Sequence, residues 1–460
     1  MLEPFILQLK KIRQKGSFVR NVSIASTWSV GIILTQFFLS PIITRLYSPE
    51  EYGVYALFSS IVVNIAVFGS LKYNEAIVLA SSNRQRNNTV FLSFMFVVMF
   101  SLITCIIVFF FKDSIADFFQ VKSSGDFLYL VSFGVLLTST FEIFANINIG
   151  RKRYFNNGMS GFVNGLIARS YNIIHAWFIS ASFTGLITGD FLGKITGITS
   201  MLFSFNNLSS TLRSFWNSVS IKTMMVIAKQ HKSFPLYFLP SSILIYLSGH
   251  LPIYFFQLQF GSMVVGAYAL ASSLLEIFNR FIPYALAPVF LQKATELKRI
   301  SHNHLCQKAY RLFLYTLGIS TIIFSGVALF STLIFPILFG GSWEMAGSFA
   351  AILAIQYAFY FVAVALSEMY NVMGRQRFLL GNSVLTVLLK IIAVVVISYM
   401  GLHDQDALLV YSLVSSIGGI FLIVGVFVIL NYKVWYVSVW LLLSMTILLL
   451  SLFCKQYIHI

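Results

Sequence analysis

Charge is what this sequence has least of. Only 10% of its residues are charged, while 58% are hydrophobic and the mean hydropathy is +0.84. A soluble domain carries roughly 25% charged residues. A surface this apolar would aggregate in water, so the solvent of the chain is lipid. Proline is scarce as well, nine residues beside 47 phenylalanines. That suits helices and disfavours the alternating strands of a membrane barrel. The three cysteines, Cys105, Cys306 and Cys454, stand apart with no CxxC among them, which argues against a disulfide framework or a zinc site. His302 and His304 have no carboxylate or thiol cluster beside them and read as part of a wet loop rather than a metal pair. No cofactor is implied.

What charge there is has one dominant sign. Lys and Arg number 31 against 15 Asp and Glu, a formal net charge of +16. The excess does not point to nucleic acid, because no soluble basic domain exists to contact phosphates. It is spread over alternate short loops. One set holds Arg84 and Arg86, Arg151 to Arg153, Arg213 to Lys232, Lys293 to Arg311, Arg375 and Arg377, and Lys433. The other holds Glu50 and Glu51, Asp113 and Asp117, Glu344, Asp404 and Asp406. Such a bias places the basic loops and the N-terminus in the cytoplasm. The outer loops are too short for an extracytoplasmic domain.

Thirteen spans follow from the length rule for a bilayer: 22–43, 54–71, 89–111, 127–149, 159–181, 186–205, 236–258, 262–290, 310–338, 345–370, 379–400, 406–430 and 434–453. Residues 1–21, with Lys10, Lys11, Arg13, Lys15 and Arg20 among apolar side chains, read as a cytoplasmic interfacial segment. A second basic stretch, 206–235, reads as a linker helix on the inner leaflet.

The chain repeats itself. Gly53-Val54-Tyr55-Ala56-Leu57-Phe58-Ser59-Ser60 returns as Gly266-Ala267-Tyr268-Ala269-Leu270-Ala271-Ser272-Ser273, with six of eight positions matched. Gly150-Arg151-Lys152-Arg153-Tyr154 returns as Gly374-Arg375-Gln376-Arg377-Phe378. Both copies of each motif fall on the same side, so the repeats are parallel. The expected architecture is an all-α polytopic membrane protein. It has a six-helix lobe over 22–205, another over 236–430, and an extra span in 431–460.

Ionisable residues within spans are costly and mark a bundle interior or a wet cavity. They are Lys72 and Glu75 in span 2, Glu142 in span 4, Arg169 in span 5, Asp190 and Lys194 in span 6, Glu276 and Arg280 in span 8, Glu368 in span 10 and Lys390 in span 11. Lys72/Glu75, Asp190/Lys194 and Glu276/Arg280 have the spacing of same-helix pairs that neutralise each other. Glu142 with Arg169, and Glu368 with Lys390, give each half one acid and one base on consecutive helices. They either brace each half internally or form the floor of a cationic cavity. His175 and His250 read as hydrogen-bonded helix residues. Arg45, at the outer end of span 1, is within reach of Glu50 or Glu51 across the turn.

The stretch Arg45-Leu46-Tyr47-Ser48-Pro49-Glu50-Glu51-Tyr52-Gly53-Val54-Tyr55-Ala56-Leu57, followed by Lys72-Tyr73-Asn74-Glu75-Ala76-Ile77-Val78-Leu79, resembles the N-terminal signature of bacterial polysaccharide transporters. These include O-antigen flippases of the multidrug/oligosaccharidyl-lipid/polysaccharide exporter group. The resemblance implies two six-helix lobes around a central cavity. It also implies a transporter rather than an enzyme, carrying an undecaprenyl-diphosphate-linked glycan across the bacterial cytoplasmic membrane for lipopolysaccharide or capsule synthesis. Membrane lipids, a polysaccharide polymerase and a chain-length regulator would be its partners. Arg169, Lys390, Arg280, Arg45 and Lys72 would then attract the diphosphate or acidic sugars. Glu142, Glu276, Glu368 and Glu75 would balance charge or carry a coupling proton. A multidrug exporter of the same fold, or a membrane glycosyltransferase or polymerase, are the alternatives. The former would favour cavity acids, and the latter needs a large outer loop or paired surface carboxylates.

Overall fold

In the computed structural model the described residues are 18–121, 125–203, 213 and 215–458, with some side chains, Arg280 among them, outside the description. Among these residues there is no strand. Long helices lie at all thirteen expected places, and among the described residues ten stretches are long and apolar enough to cross a bilayer. The chain divides into two compact units, Met1–His250 and Leu251–Ile460.

The first unit contains α1 (Phe18–Leu46), α2 (Pro49–Gly69), the single turn α3 (Tyr73–Ala76), α4 (Asn83–Phe118), α5 (Val131–Gly150), α6 (Tyr154–Phe178), α7 (Phe183–Phe203) and α8 (Ile221–Gln230). It also takes in the start of α9 (Leu239–Phe260). Ser48-Pro49-Glu50-Glu51 starts α2 for plain reasons. The Ser48 hydroxyl accepts from the Glu51 N–H at 3.3 Å, Pro49 stands in the first turn, and two acids face the positive helix end. The same signature clasps its neighbours. Tyr47 donates its hydroxyl to the Asn172 carbonyl of α6 at 2.8 Å, and the Glu51 carboxylate accepts from the Phe183 N–H that opens α7. Burial, then Tyr171 and Glu51, push the Tyr47 phenol up to about 12, so it remains a donor.

Helices α6 and α7 are not among the ten apolar spans. They carry Asn164, Arg169, Asn172, His175, Asp190 and Lys194, and they pack closely on one another. Gly185, Gly189, Gly193 and Gly197 recur every fourth residue along α7, forming one small-residue face. A methyl group at Gly193 would sit 2.6 Å from the Asn164 carbonyl oxygen, and one at Gly189 would sit 2.8 Å from that of Ala168. Ser160 closes the seam by donating to the Gly197 carbonyl at 2.7 Å. These four glycines went unread in the sequence, although their spacing is a packing signal.

The second unit contains the rest of α9, then α10 (Ser262–Phe281), α11 (Pro283–Ile300), α12 (His302–Phe339), α13 (Glu344–Leu366), α14 (Glu368–Met373), α15 (Gln376–Met400), α16 (Asp404–Ile429) and α17 (Val434–Ile458). Its core helix is α13, buried along most of its length and packed by α10, α12 and α16. The extra helix α17 lies against α12.

The repeat survives in three dimensions with one change of register. Gly53 and Gly266 occupy the second long helix of their repeats, four residues after its first residue in both. The basic turns match differently. The N–H of Arg153 bonds to the Asn148 carbonyl, and that of Arg375 to the Tyr370 carbonyl, each at 2.8 Å. This six-to-one closure requires a left-handed residue just before it. Lys152 (φ 57°) fills that place in one turn and Gly374 (φ 70°) in the other. Gly150 and Gly374, aligned by sequence, are therefore not equivalent. Gly150 is small because the Ile77 carbonyl lies 3.2 Å from where its Cβ would be.

Three expectations change. Span 8 does not run to 290: α10 stops at Phe281, and Pro283 opens α11, because proline suits a helix start and not its interior. His302 and His304 lie in the first turn of α12, capped by Ser301, rather than in a loop. His302 Nε2 is 2.9 Å from the Leu430 carbonyl. Lys72 and Glu75 are not on the second span, because α2 ends at Gly69 and the backbone turns left-handed at Leu71 and Lys72 (φ 49° and 63°). Within the stretch 206–235, residues 206–212 and 214 lie outside the described residues, and α8 (Ile221–Gln230) belongs to the first unit.

Candidate functional site: charges inside two helix bundles

Two left-handed residues in a row are strained for non-glycine side chains and occur where the surrounding contacts hold them. Here they turn Lys72 inward. It is buried, with Nζ 5.7 Å from the centre of the Tyr246 ring of α9. Its charge acts on Glu142 of α5, which also feels Glu75 and accepts from the Asn74 amide at 3.3 Å. Ser70 in turn donates to Asn74 at 2.7 Å. The same-helix Lys72/Glu75 pair is thus replaced by a cluster of Ser70, Lys72, Asn74, Glu75, Glu142 and Tyr246. The adjoining Arg151 has a lowered proton affinity, from burial first and then from the like charges of Arg153 and Arg86, so a dense basic patch lies at this end of the unit.

A second cluster joins α2, α6 and α7. Asp190 and Lys194 form the expected ion pair, both side chains largely shielded. The Tyr55 hydroxyl lies in the opposing fields of Asp190 and Arg169. Arg169 also donates to the Gly165 carbonyl of its own helix at 3.1 Å. Glu142 and Arg169, read as a possible brace, therefore sit in different clusters. His175 and His250 are hydrogen-bonded helix residues, at 2.8 Å to the Ser180 carbonyl and 2.9 Å to the Asn64 amide.

In the second unit Lys390 lies on α15 with its ammonium 5.8 Å from the centre of the Tyr411 ring of α16, a cation–π arrangement. Tyr411 and Tyr268 are buried beside the half-buried Tyr357, and the Glu276 charge reaches Tyr357. The side chain of Arg280 lies outside the described residues. Glu368 opens the short helix α14 and accepts from Asn371 at 2.8 Å. Arg45 is exposed in the last turn of α1, where a cation suits the helix dipole. Sequence reading missed the tyrosines beside these charges; Tyr55 and Tyr268 are a matched pair within the repeated motif. Among the described residues no three potential metal ligands converge.

Arg169 is the sixteenth residue of the 25-residue α6, and Lys390 the fifteenth of the 25-residue α15. Each unit thus places one cation near the middle of the helix that follows its basic turn.

This architecture has solved counterparts. The lipid II flippase MurJ in an inward closed conformation superposes with a TM-score of 0.62 at 14% identity, over 94% of this chain and 98% of that one. An inward-facing multidrug resistance MATE transporter of the MOP superfamily gives 0.61 at 15%, over 93% and 98%. The eukaryotic MATE transporter AtDTX14 gives 0.59 at 13%, over 98% and 99%. At such identities the likeness concerns the fold alone, which is that of MOP-superfamily transporters. Curated protein sequences offer no match. The family model described as polysaccharide biosynthesis protein matches residues 42–348, two thirds of the chain, and the chain belongs to that family.

Proposed function

We propose that the protein is a flippase for undecaprenyl-diphosphate-linked oligosaccharides, the repeat units of O-antigen or capsule. It moves them from the cytoplasmic to the outer leaflet of a bacterial inner membrane by alternating access. The N-terminus and the basic loops face the cytoplasm in this reading. One observation carries it: a cation near the middle of the helix that follows the basic turn in each unit, Arg169 and Lys390, in a polysaccharide biosynthesis family. Holding a cation at mid-span is costly, so its presence there implies use. A diphosphate headgroup supplies the complementary charge through charge-assisted hydrogen bonds. The sugar cannot cross hydrocarbon unaided, whereas the polyprenyl tail stays in lipid.

Arg280, Arg45 and Lys72 assist in drawing the cargo in. Glu142, Glu276, Glu368 and Glu75 balance those charges between cycles or carry a coupling proton. The released glycan would pass to a polymerase under a chain-length regulator. The test is replacement of Arg169 or Lys390 by Gln, scored by surface polysaccharide and by the lipid-linked intermediate that accumulates in cells. Normal polymer at normal protein level would remove the cargo role. Flipping that ignores a collapsed proton gradient would remove the coupling role.

A further inference from the structure

From Asp190 to Glu276 the chain contains no intervening acid, yet Lys194, Arg213, Lys222, Lys229 and Lys232 fall in that interval. Helix α8 lies within it. One of its faces is committed: Met224 and Ile227 are buried with Tyr73 and Leu92. The Tyr73 hydroxyl donates to the Ala228 carbonyl at 3.3 Å. The segment before α8 is clamped by Asn88 of α4, whose amide donates to the Ser218 carbonyl and accepts from the Ser220 N–H, both at 2.8 Å. These contacts fix the roll of α8 about its axis.

With about 100° between successive residues, the opposite face presents Met225, Lys229, Lys222 and Val226 in angular order. Met225 and Val226 are each 62% exposed, and both lysines are exposed. Ile221 and Trp216 extend the apolar margin. Two cations two turns apart, roughly 10 Å along the axis, are thus flanked by apolar side chains. A solvated face would not need Met and Val beside the lysines. A protein-binding face would not centre on two cations in a segment lacking any acid. A bilayer surface with negative headgroups above an acyl boundary matches both features.

We propose that α8 is a docking surface for anionic phospholipids, with Lys222 and Lys229 on the headgroups and Met225 and Val226 entering the acyl boundary. Its assignment to the inner leaflet rests on the cytoplasmic placement of the linker given above. Docking would bear on the Lys72 cluster through Tyr73, which α8 holds and which follows Lys72 directly.

The test uses the full-length protein with Cys105→Ser and Cys454→Ser, the two exposed thiols, and a nitroxide on Met225→Cys. It is reconstituted in symmetric vesicles of phosphatidylcholine, alone or with about one third phosphatidylglycerol. Accessibility to oxygen against a water-soluble nickel chelate reports immersion. The label is expected in the lipid phase only in the anionic vesicles. At about fivefold per lysine, Lys222→Gln with Lys229→Gln should lower the docked-to-undocked ratio roughly 25-fold, and Lys222→Arg with Lys229→Arg should keep it. A label that stays aqueous in both vesicles overturns the proposal. So does equal immersion in both, or a Gln variant that docks as well as the parent. Because the vesicles are symmetric, this result does not depend on orientation. Labelling of the same cysteine in intact cells by an impermeant thiol reagent would overturn the inner-leaflet assignment separately.

Discussion

Replacing Gly193 by Ala should loosen the first unit measurably, although it adds only one methyl group to a helix. The new Cβ would meet the Asn164 carbonyl oxygen at 2.6 Å and the Ala168 Cβ at 2.9 Å. Neither is the tip of a flexible side chain, so α6 and α7 must separate by somewhat over half an ångström. A gap of that size forfeits a quarter to a half of each contact it opens. If the seam holds on the order of forty carbon–carbon contacts of ~0.15 kcal/mol, losing a third of them costs about 2 kcal/mol. Alanine returns up to ~1 kcal/mol through helix propensity. The net loss is ~1–2 kcal/mol, a fall of roughly 2–8 °C in melting temperature for a unit of this size.

The control is Gly249→Ala in α9, where a Cβ meets nothing within 4 Å. Melting of the purified full-length variants in one detergent compares the two directly. Gly249→Ala should melt at or slightly above the parent, and Gly193→Ala below it. If Gly193→Ala melts with or above Gly249→Ala, the close seam is not what holds α6 to α7. Asp190 and Lys194 flank Gly193, so the same variant should also reduce transport beyond its loss of protein.

Asn88→Ala leaves two half-buried backbone groups of the linker without their partner, at about 1 kcal/mol each; trypsin should then cut near Arg213 and Lys222 faster than in the parent, and equal cutting would disprove the clamp. Lys72→Met should lower the melting temperature, and adding Glu142→Gln should recover part of it; a coupling energy under ~0.5 kcal/mol would deny the interaction. Tyr47→Phe removes one buried hydrogen bond to α6 and should cost ~1 kcal/mol, read as a small drop in melting temperature with transport kept. Gly374→Ala places a Cβ in the left-handed region and should cost about 1 kcal/mol, whereas Gly150→Ala should cost more by pressing on the backbone at Ile77.

Where the helices lie was readable because hydrocarbon imposes the same requirement on every span. Where they end was not, because an end is set by capping chemistry rather than hydropathy. The apolar run 89–111 belongs to a helix that starts six residues earlier, at Asn83 after the Ser82 cap, and continues to Phe118. The run 310–338 likewise belongs to a helix opened at Ser301. Proline at 283 was the one available sign that span 8 had to stop, and it reads as a start only once the helix before it is seen to end. The charges were found as residues but not as pairs. Asp190 with Lys194 followed from spacing, since one helix suffices to join them. Lys72 with Glu142 depends on a left-handed break that no local pattern announces, and Lys390 with Tyr411 on the packing of α15 against α16.

The duplication shows the same division between what is local and what is tertiary. Two glycines at the head of matching basic motifs look like one conserved need, yet one is there for its backbone angle and the other for its lack of a side chain. The turn itself is what recurs, closed by the same hydrogen bond in both units while the letters slide by two. In that structural register Arg169 falls beside Lys390, one residue apart on equivalent helices. A cation at that depth has thus been kept in both repeats although the residue type, its neighbours and its position by one residue all differ. Packing does not account for this, since the first cation shares a cluster with Asp190 and Tyr55 and the second rests on Tyr411. A demand common to both halves would, and the negatively charged cargo proposed above is such a demand.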